Sequence, residues 1–148
     1  MSIGLTSAGI KLSYATAEPT DTKPSTGYLA ITGLKEIPDM NPTPDTIETT
    51  TFDDTVYKTY TQGLKDLGGA LSFTFNLTKE FITAWDTTMF AAATVSKTVF
   101  WYQIEIPNIT KKLYFTGEPA KLGLSGQSVN SLLEITAFIV PTNGPVWD

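Results

Sequence analysis

Residues 35–69 read KEIPDMNPTPDTIETTTFDDTVYKTYTQGLKDLGG and lie between two segments with the alternation of strands. The stretch is too long and too polar for a turn. It carries three prolines (Pro38, Pro42, Pro44), the run Thr49-Thr50-Thr51 and the acidic pair Asp53-Asp54. A connection of this length in a compact domain is usually functional or disordered. Ile37, Met40, Ile47, Phe52, Val56, Tyr57, Tyr60, Leu64 and Leu67 recur through it, and such a density of large apolar groups requires a surface to bury them. In a chain of 148 residues the expected surface is another subunit. The stretch is therefore read as a projecting arm over 38–66. Its candidate contacts are Met40, Ile47, Phe52, Val56, Tyr57, Tyr60 and Leu64. A β-branched middle over 46–52 predicts a short strand within it, and Gly68-Gly69 form a flexible joint at its end.

Working outward, period-two alternation predicts strands over 10–14, 28–34, 70–77, 98–106, 111–117, 119–124 and 131–140. The segment 70–77 is the clearest, with Leu71, Phe73, Phe75 and Leu77 on one face and Ser72, Thr74 and Asn76 on the other. Pro107-Asn108 predicts a hairpin between the strands around it. The stretch 15–26, rich in Pro, Thr and charge, reads as a loop, as does 125–128. Thr78 is placed as an N-cap. An apolar stripe of Phe81, Ile82, Trp85, Met89 and Ala92 predicts one helix over 79–93. Pro141 is expected to stop the last strand, leaving 141–148 as a tail that frays or docks on a neighbour. The fold class is mainly β, a sandwich or partly closed barrel with one helix, in a single domain over 1–148. The regular segments 72–75 and 135–138 lack the charges and prolines that blunt exposed edges, so they are expected to pair with identical neighbours.

Composition narrows the function. The chain has no cysteine and no histidine, which removes thiolate chemistry and the commonest general base and metal ligand. A net charge of −5 argues against tight binding to a phosphate backbone. The first residues lack the pattern of a secretory signal, and no apolar run approaches a bilayer span, so the expectation is synthesis in the cytoplasm and no membrane partner. No phosphate-binding glycine motif and no nucleophile elbow is present. The arm's carboxylates Asp39, Asp45, Glu48, Asp53 and Asp54 lack the spacing of a calcium loop. Glu105 and Glu134 could act as a glycosidase pair, though no cleft is placed for them. Trp101, Tyr102, Tyr114 and Phe115 could form a stacking platform, though few lysines lie near. No catalytic, cofactor-binding or metal-binding residues are assigned, and the chain is read as a non-enzyme.

Four segments carry a resemblance: Ser7 to Tyr14 (SAGIKLSY), Gly33 to Asp39 (GLKEIPD) followed by Asn41-Pro42, Ile47-Glu48-Thr49-Thr50, and Tyr60 with Gly63-Leu64-Lys65-Asp66. Together with the order of elements, they resemble the major tail tube proteins of long-tailed, non-contractile bacteriophages, a family related to contractile-tail inner tubes and Hcp-like secretion rings. The resemblance implies a tail-tube-type β-sandwich, hexameric rings, an arm that reaches the next ring, and a hollow tube that delivers DNA to the host. It implies as partners further copies of the chain, a tape measure protein and double-stranded DNA in the lumen without sequence-specific binding, and other tail proteins at the ends. No cofactor is implied, and the location is the virion tail. Ser72, Thr74, Asn76, Gln103, Glu105, Glu134 and Thr136, on the wet faces of their strands, are the candidates to line the bore. Six copies per ring would multiply the acidic charge sixfold and keep DNA from adhering. The arm is expected to be mobile in the monomer and to order on stacking. A carbohydrate- or protein-binding module of a virion, or a single-ring Hcp-like or tail-terminator protein, are the competing readings.

Overall fold

A computed structural model describes residues 8–15, 23–41, 43–66, 69–90 and 99–148, with the backbone alone over 87–90. Among these residues the chain forms nine strands and one helical segment. In chain order they are β1 Lys11–Ala15, β2 Tyr28–Ile31, β3 Leu34–Glu36, β4 Pro44–Glu48, β5 Tyr60–Lys65, β6 Leu71–Asn76, α1 from Lys79, β7 Phe100–Glu105, β8 Leu113–Pro119 and β9 Glu134–Trp147. Seven strands make one antiparallel sheet in the order β2-β1-β7-β8-β9-β6-β3, and β4 and β5 pair separately.

The sequence segment 28–34, expected as one strand, is broken by Gly33 at φ +83, a conformation that favours glycine. The two pieces lie at opposite ends of the sheet order, yet only Thr32 and Gly33 separate them. Three Cα–Cα steps reach at most about 11 Å, so the outermost strands must meet and the sheet must curl. The result is a half-closed barrel, tied at the corner by the Asn76 amide donating to the Gly33 carbonyl at 2.8 Å. The core fills the inside of the curl with one side of each strand, including Leu12, Ile31, Phe73, Tyr102, Phe115 and Ile139.

Thr78 caps the helix as expected, its hydroxyl accepting from the Phe81 amide at 3.1 Å. The helix departs from expectation thereafter. It is α-helical only over Lys79–Ile82 and continues as a π-helix over Thr83–Phe90, while 91–93 lie outside the described residues. Three threonines in that stretch are poor α-helix formers. Phe81 and Trp85 from the predicted stripe are fully buried, whereas Ile82 is exposed. Phe81 stacks on Phe75 with ring centroids 4.5 Å apart, and the Trp85 indole donates to the Ala120 carbonyl at 2.9 Å.

The hairpin between β7 and β8 forms as expected around Pro107-Asn108. Asn108 takes φ +67 and the Ile109 amide bonds the Ile106 carbonyl at 3.2 Å, the geometry that suits Pro then Asn in a type II turn. Two other expectations are corrected. No strand occupies 120–124; β8 ends at Pro119. Pro141 does not end the last strand, and 141–148 is not a loose tail. β9 continues to Trp147 along β8, with Pro141 opposite Gly117 next to a register shift, where a missing N–H is tolerated. The end is fastened by paired backbone bonds between Lys112 and Asp148 and by a 2.7 Å Lys23–Asp148 ion pair.

The edge argument is also corrected. The segments 72–75 and 135–138 lie in β6 and β9, interior to the sheet order. The outermost strands are β2 and β3, of 4 and 3 residues, and very short edges are themselves a protection against edge pairing.

The core and the hairpin tip should respond differently to truncation. Trp85→Ala should lower the unfolding free energy by about 3–5 kcal/mol, whereas Phe52→Ala should change it by no more than about 0.5 kcal/mol. Urea titrations of both variants check this, and comparable losses would contradict it.

Candidate functional site

The arm is a β-hairpin and not the loop expected. β4 and β5 pair with Ile47 opposite Thr61 and Glu48 opposite Tyr60, around a register shift near Pro44. The observed strand is Pro44–Glu48, displaced from the predicted 46–52, and β5 was not foreseen. Beyond the strands the tip is closed by side chains. The Thr49 amide donates to the Thr59 carbonyl at 2.8 Å, and the Thr59 amide to the Thr50 hydroxyl at 2.9 Å. The Asp54 carboxylate accepts from the Thr51 amide at 2.8 Å, while the Asp54 amide returns a bond to the Thr51 carbonyl at 3.0 Å. The threonine run and Asp54 thus fold the turn Thr51–Asp54 and hold the single chain's hairpin closed.

That turn lifts Phe52 clear of the protein, at 106% relative exposure; Leu64, Tyr57 and Val56 stand at 87%, 81% and 79%. Ile47 and Tyr60 are also exposed. Met40, grouped with them from the sequence, lies elsewhere: with Ile37 it is partly buried and packed on the core. Together the six exposed side chains present on the order of 800 Å², about one partner's share of a standard protein interface. At the hairpin's base an open cleft of about 850 Å³ is lined by Met40, Lys65, Leu113, Val140, Pro141 and Trp147, among others.

The proposed bore residues share the sheet face opposite the core but form two groups. Thr74 lies opposite Thr136, and Asn76 opposite Glu134, with Ser72 beside Phe138. These make one polar patch on β6 and β9, where Glu134 is ion-paired with Lys35. Gln103 and Glu105 lie on β7, beyond β8. Gln103 is buried and its amide donates to the Tyr114 hydroxyl at 2.9 Å. It is covered because this part of the face is itself packed. Tyr28 and Tyr114 meet with centroids 5.8 Å apart, the Lys23 ammonium lies 4.2 Å from the Tyr114 ring centre, and Ser13 and Thr116 are buried alongside. Burial beside Tyr114 pushes the Tyr28 phenol up to about 12. A wet face therefore describes β6, but not β7 or β8.

Two alternatives from the sequence separate in space. Glu105 and Glu134 stand on strands with β8 between them. Tyr102 and Phe115 stack at 5.1 Å within the core, away from Trp101 and Tyr114 on the other face, so the four do not form one platform. Among the described residues no group of three or more His, Cys, Asp or Glu could hold a metal ion. Nor is any described helix long and apolar enough to cross a membrane.

No family model and no curated protein matches the chain. Among solved structures, one match is to a chain in the cryo-EM structure of the anti-feeding prophage baseplate, six-fold symmetrised. It has a TM-score of 0.58 and 12% identity, covering 100% of this chain and 97% of that one. The two chains share a fold.

Asp54→Ala should speed exchange of the Thr51 amide by roughly tenfold, since a hydrogen bond to a charged group is lost. The midpoint of global unfolding should stay in place. A drop in global stability, or unchanged exchange, would contradict the role given to Asp54.

Proposed function

We propose that this chain is a structural subunit of a phage-type tail tube. Six copies form a ring, rings stack, and the hairpin 44–65 reaches the neighbouring ring. The observation that carries this reading is the hairpin: a preformed element whose large side chains, Phe52, Val56, Tyr57 and Leu64, are almost wholly in water. Monomeric proteins rarely leave so many large apolar side chains of one element in water without a use. The fold shared with a chain of a six-fold symmetrised baseplate supports a ring, as does the resemblance of the arm segments to tail tube proteins. In this reading the bore is lined by the polar patch Ser72, Thr74, Asn76, Glu134 and Thr136. Double-stranded DNA and a tape measure protein pass along it without sequence-specific contacts. The net charge of −5 per chain keeps the wall from binding the phosphate backbone. The subunit is made in the host cytoplasm and ends in the virion tail.

Because the hairpin is already closed, stacking requires docking more than folding, which reduces the ordering entropy that a mobile arm would lose. Phe52→Asp or Tyr57→Asp should leave a folded monomer with wild-type thermal stability and abolish tube growth. Negative-stain microscopy at rising protein concentration reads this directly. Tubes of normal length from either variant, or a wild-type protein that stays monomeric at every concentration, would overturn the reading.

A further inference from the structure

β9 is staggered between its two neighbours. β6 pairs with residues 134–139 on one side, and β8 with 139–147 on the other. Each half of β9 therefore has one flank without a strand. The second half carries Pro141 and Pro145, which remove N–H groups and blunt it permanently. The first half, residues 134–138, contains no proline. Its flank is covered instead by the connection that follows β8. The Ala120 amide donates to the Phe138 carbonyl at 2.9 Å, the Thr136 amide to the Ser125 hydroxyl at 3.1 Å, and the Gln127 side-chain amide to the Glu134 carbonyl at 2.7 Å. Residues 134, 136 and 138 alternate along the strand, so the segment 120–127 satisfies the backbone groups that a further strand would pair. Two of the three bonds come from side chains. The connection is anchored where the Ala120 carbonyl accepts from the Trp85 indole and Leu122 packs on the core, but beyond them it holds little apolar surface down: Leu124, Val129, Leu132 and Leu133 are all exposed.

We propose that residues 120–127 are a displaceable edge cover, and that on assembly the flank 134–138 takes β5 of a second copy's hairpin. This deepens the tube reading and rests on it. The fit is specific in three respects. β5 has 6 residues and no proline, matching an uncovered flank of roughly 17 Å; β4 begins with Pro44. β5 lies at the edge of a two-stranded sheet, so one of its sides is open to pairing. The register shift near Pro44 sets Tyr60 and Leu64 on opposite faces of β5, and beside the flank the exposed Phe138, Leu132 and Leu133 offer apolar surface to one of them. Strand addition gains main-chain hydrogen bonds as well as side-chain burial, which the two side-chain clamps it replaces cannot match.

Hydrogen exchange of the full chain as monomer and as assembled particles tests this. On assembly, peptides over 134–140 and 60–65 should become more protected, while the Ala120 amide, bonded to the Phe138 carbonyl in the single chain, should become less protected. Loss of protection in the cover distinguishes strand exchange from mere occlusion. In parallel, Ser125→Ala with Gln127→Ala should lower the concentration needed for assembly by roughly tenfold, because the cover opens more easily. Should that variant not fold, the wild-type exchange pattern decides alone. Particles in which the Ala120 amide keeps or gains protection, or a folded variant with an unchanged or raised threshold, overturn the proposal and leave the tube reading standing. A failure of the wild-type chain to assemble at any concentration overturns both.

Discussion

The two outermost strands of the main sheet are joined by only Thr32 and Gly33. Everything else in the fold answers to that short link. It forces seven strands to wrap round until first and last meet, and so gives the buried side chains an inside. It keeps the outer strands short, which protects them from chance pairing. It also requires glycine at position 33, where φ is +83 and an added Cβ would lie 3.4 Å from the Asn76 carbonyl oxygen. The helical segment then delivers Phe81 and Trp85 onto Phe75, completing the core.

A sheet closed in this way has few places left to join another molecule. The hairpin projects because its strands pair with each other and not with the barrel. Its tip is held by its own threonines and Asp54, so Phe52 is presented and not merely loose. The second place is the first half of β9, where the stagger between β6 and β8 leaves backbone groups to be satisfied by Ser125 and Gln127. One feature lacks a cover and the other has a removable one. The fold that carries both is shared with a chain of the anti-feeding prophage baseplate.

Much of the fold was legible because one-sided burial writes a period of two into the sequence. Leu71, Phe73 and Phe75 announced β6, and Pro107-Asn108 announced the β7–β8 turn. Where both faces are covered the signal failed: Gln103 reads as a wet residue, yet it is buried because Tyr28 and Tyr114 pack over it, a contact between distant segments. The continuation of β9 past Pro141 was hidden because a register shift in β8 tolerates the proline, and such shifts leave no local mark. The arm's apolar content was visible, but its pairing was not. Gly63 and Gln62 dilute the alternation of β5, and the bonds of the threonine run to Asp54 and Thr59 depend on a fold-back that no local pattern marks. The edge cover was out of reach, since it depends on which flank of β9 lacks a strand.

We propose that a single copy is complete except for a hairpin that further copies cover. Hydroxyl-radical footprinting of monomer and assembled particles measures this at the side chains themselves. The account predicts that Phe52 and Tyr57 react readily in the monomer and are shielded in the particles, while Trp85 is inert in both. Particles in which Phe52 and Tyr57 remain as reactive as in the monomer would contradict it.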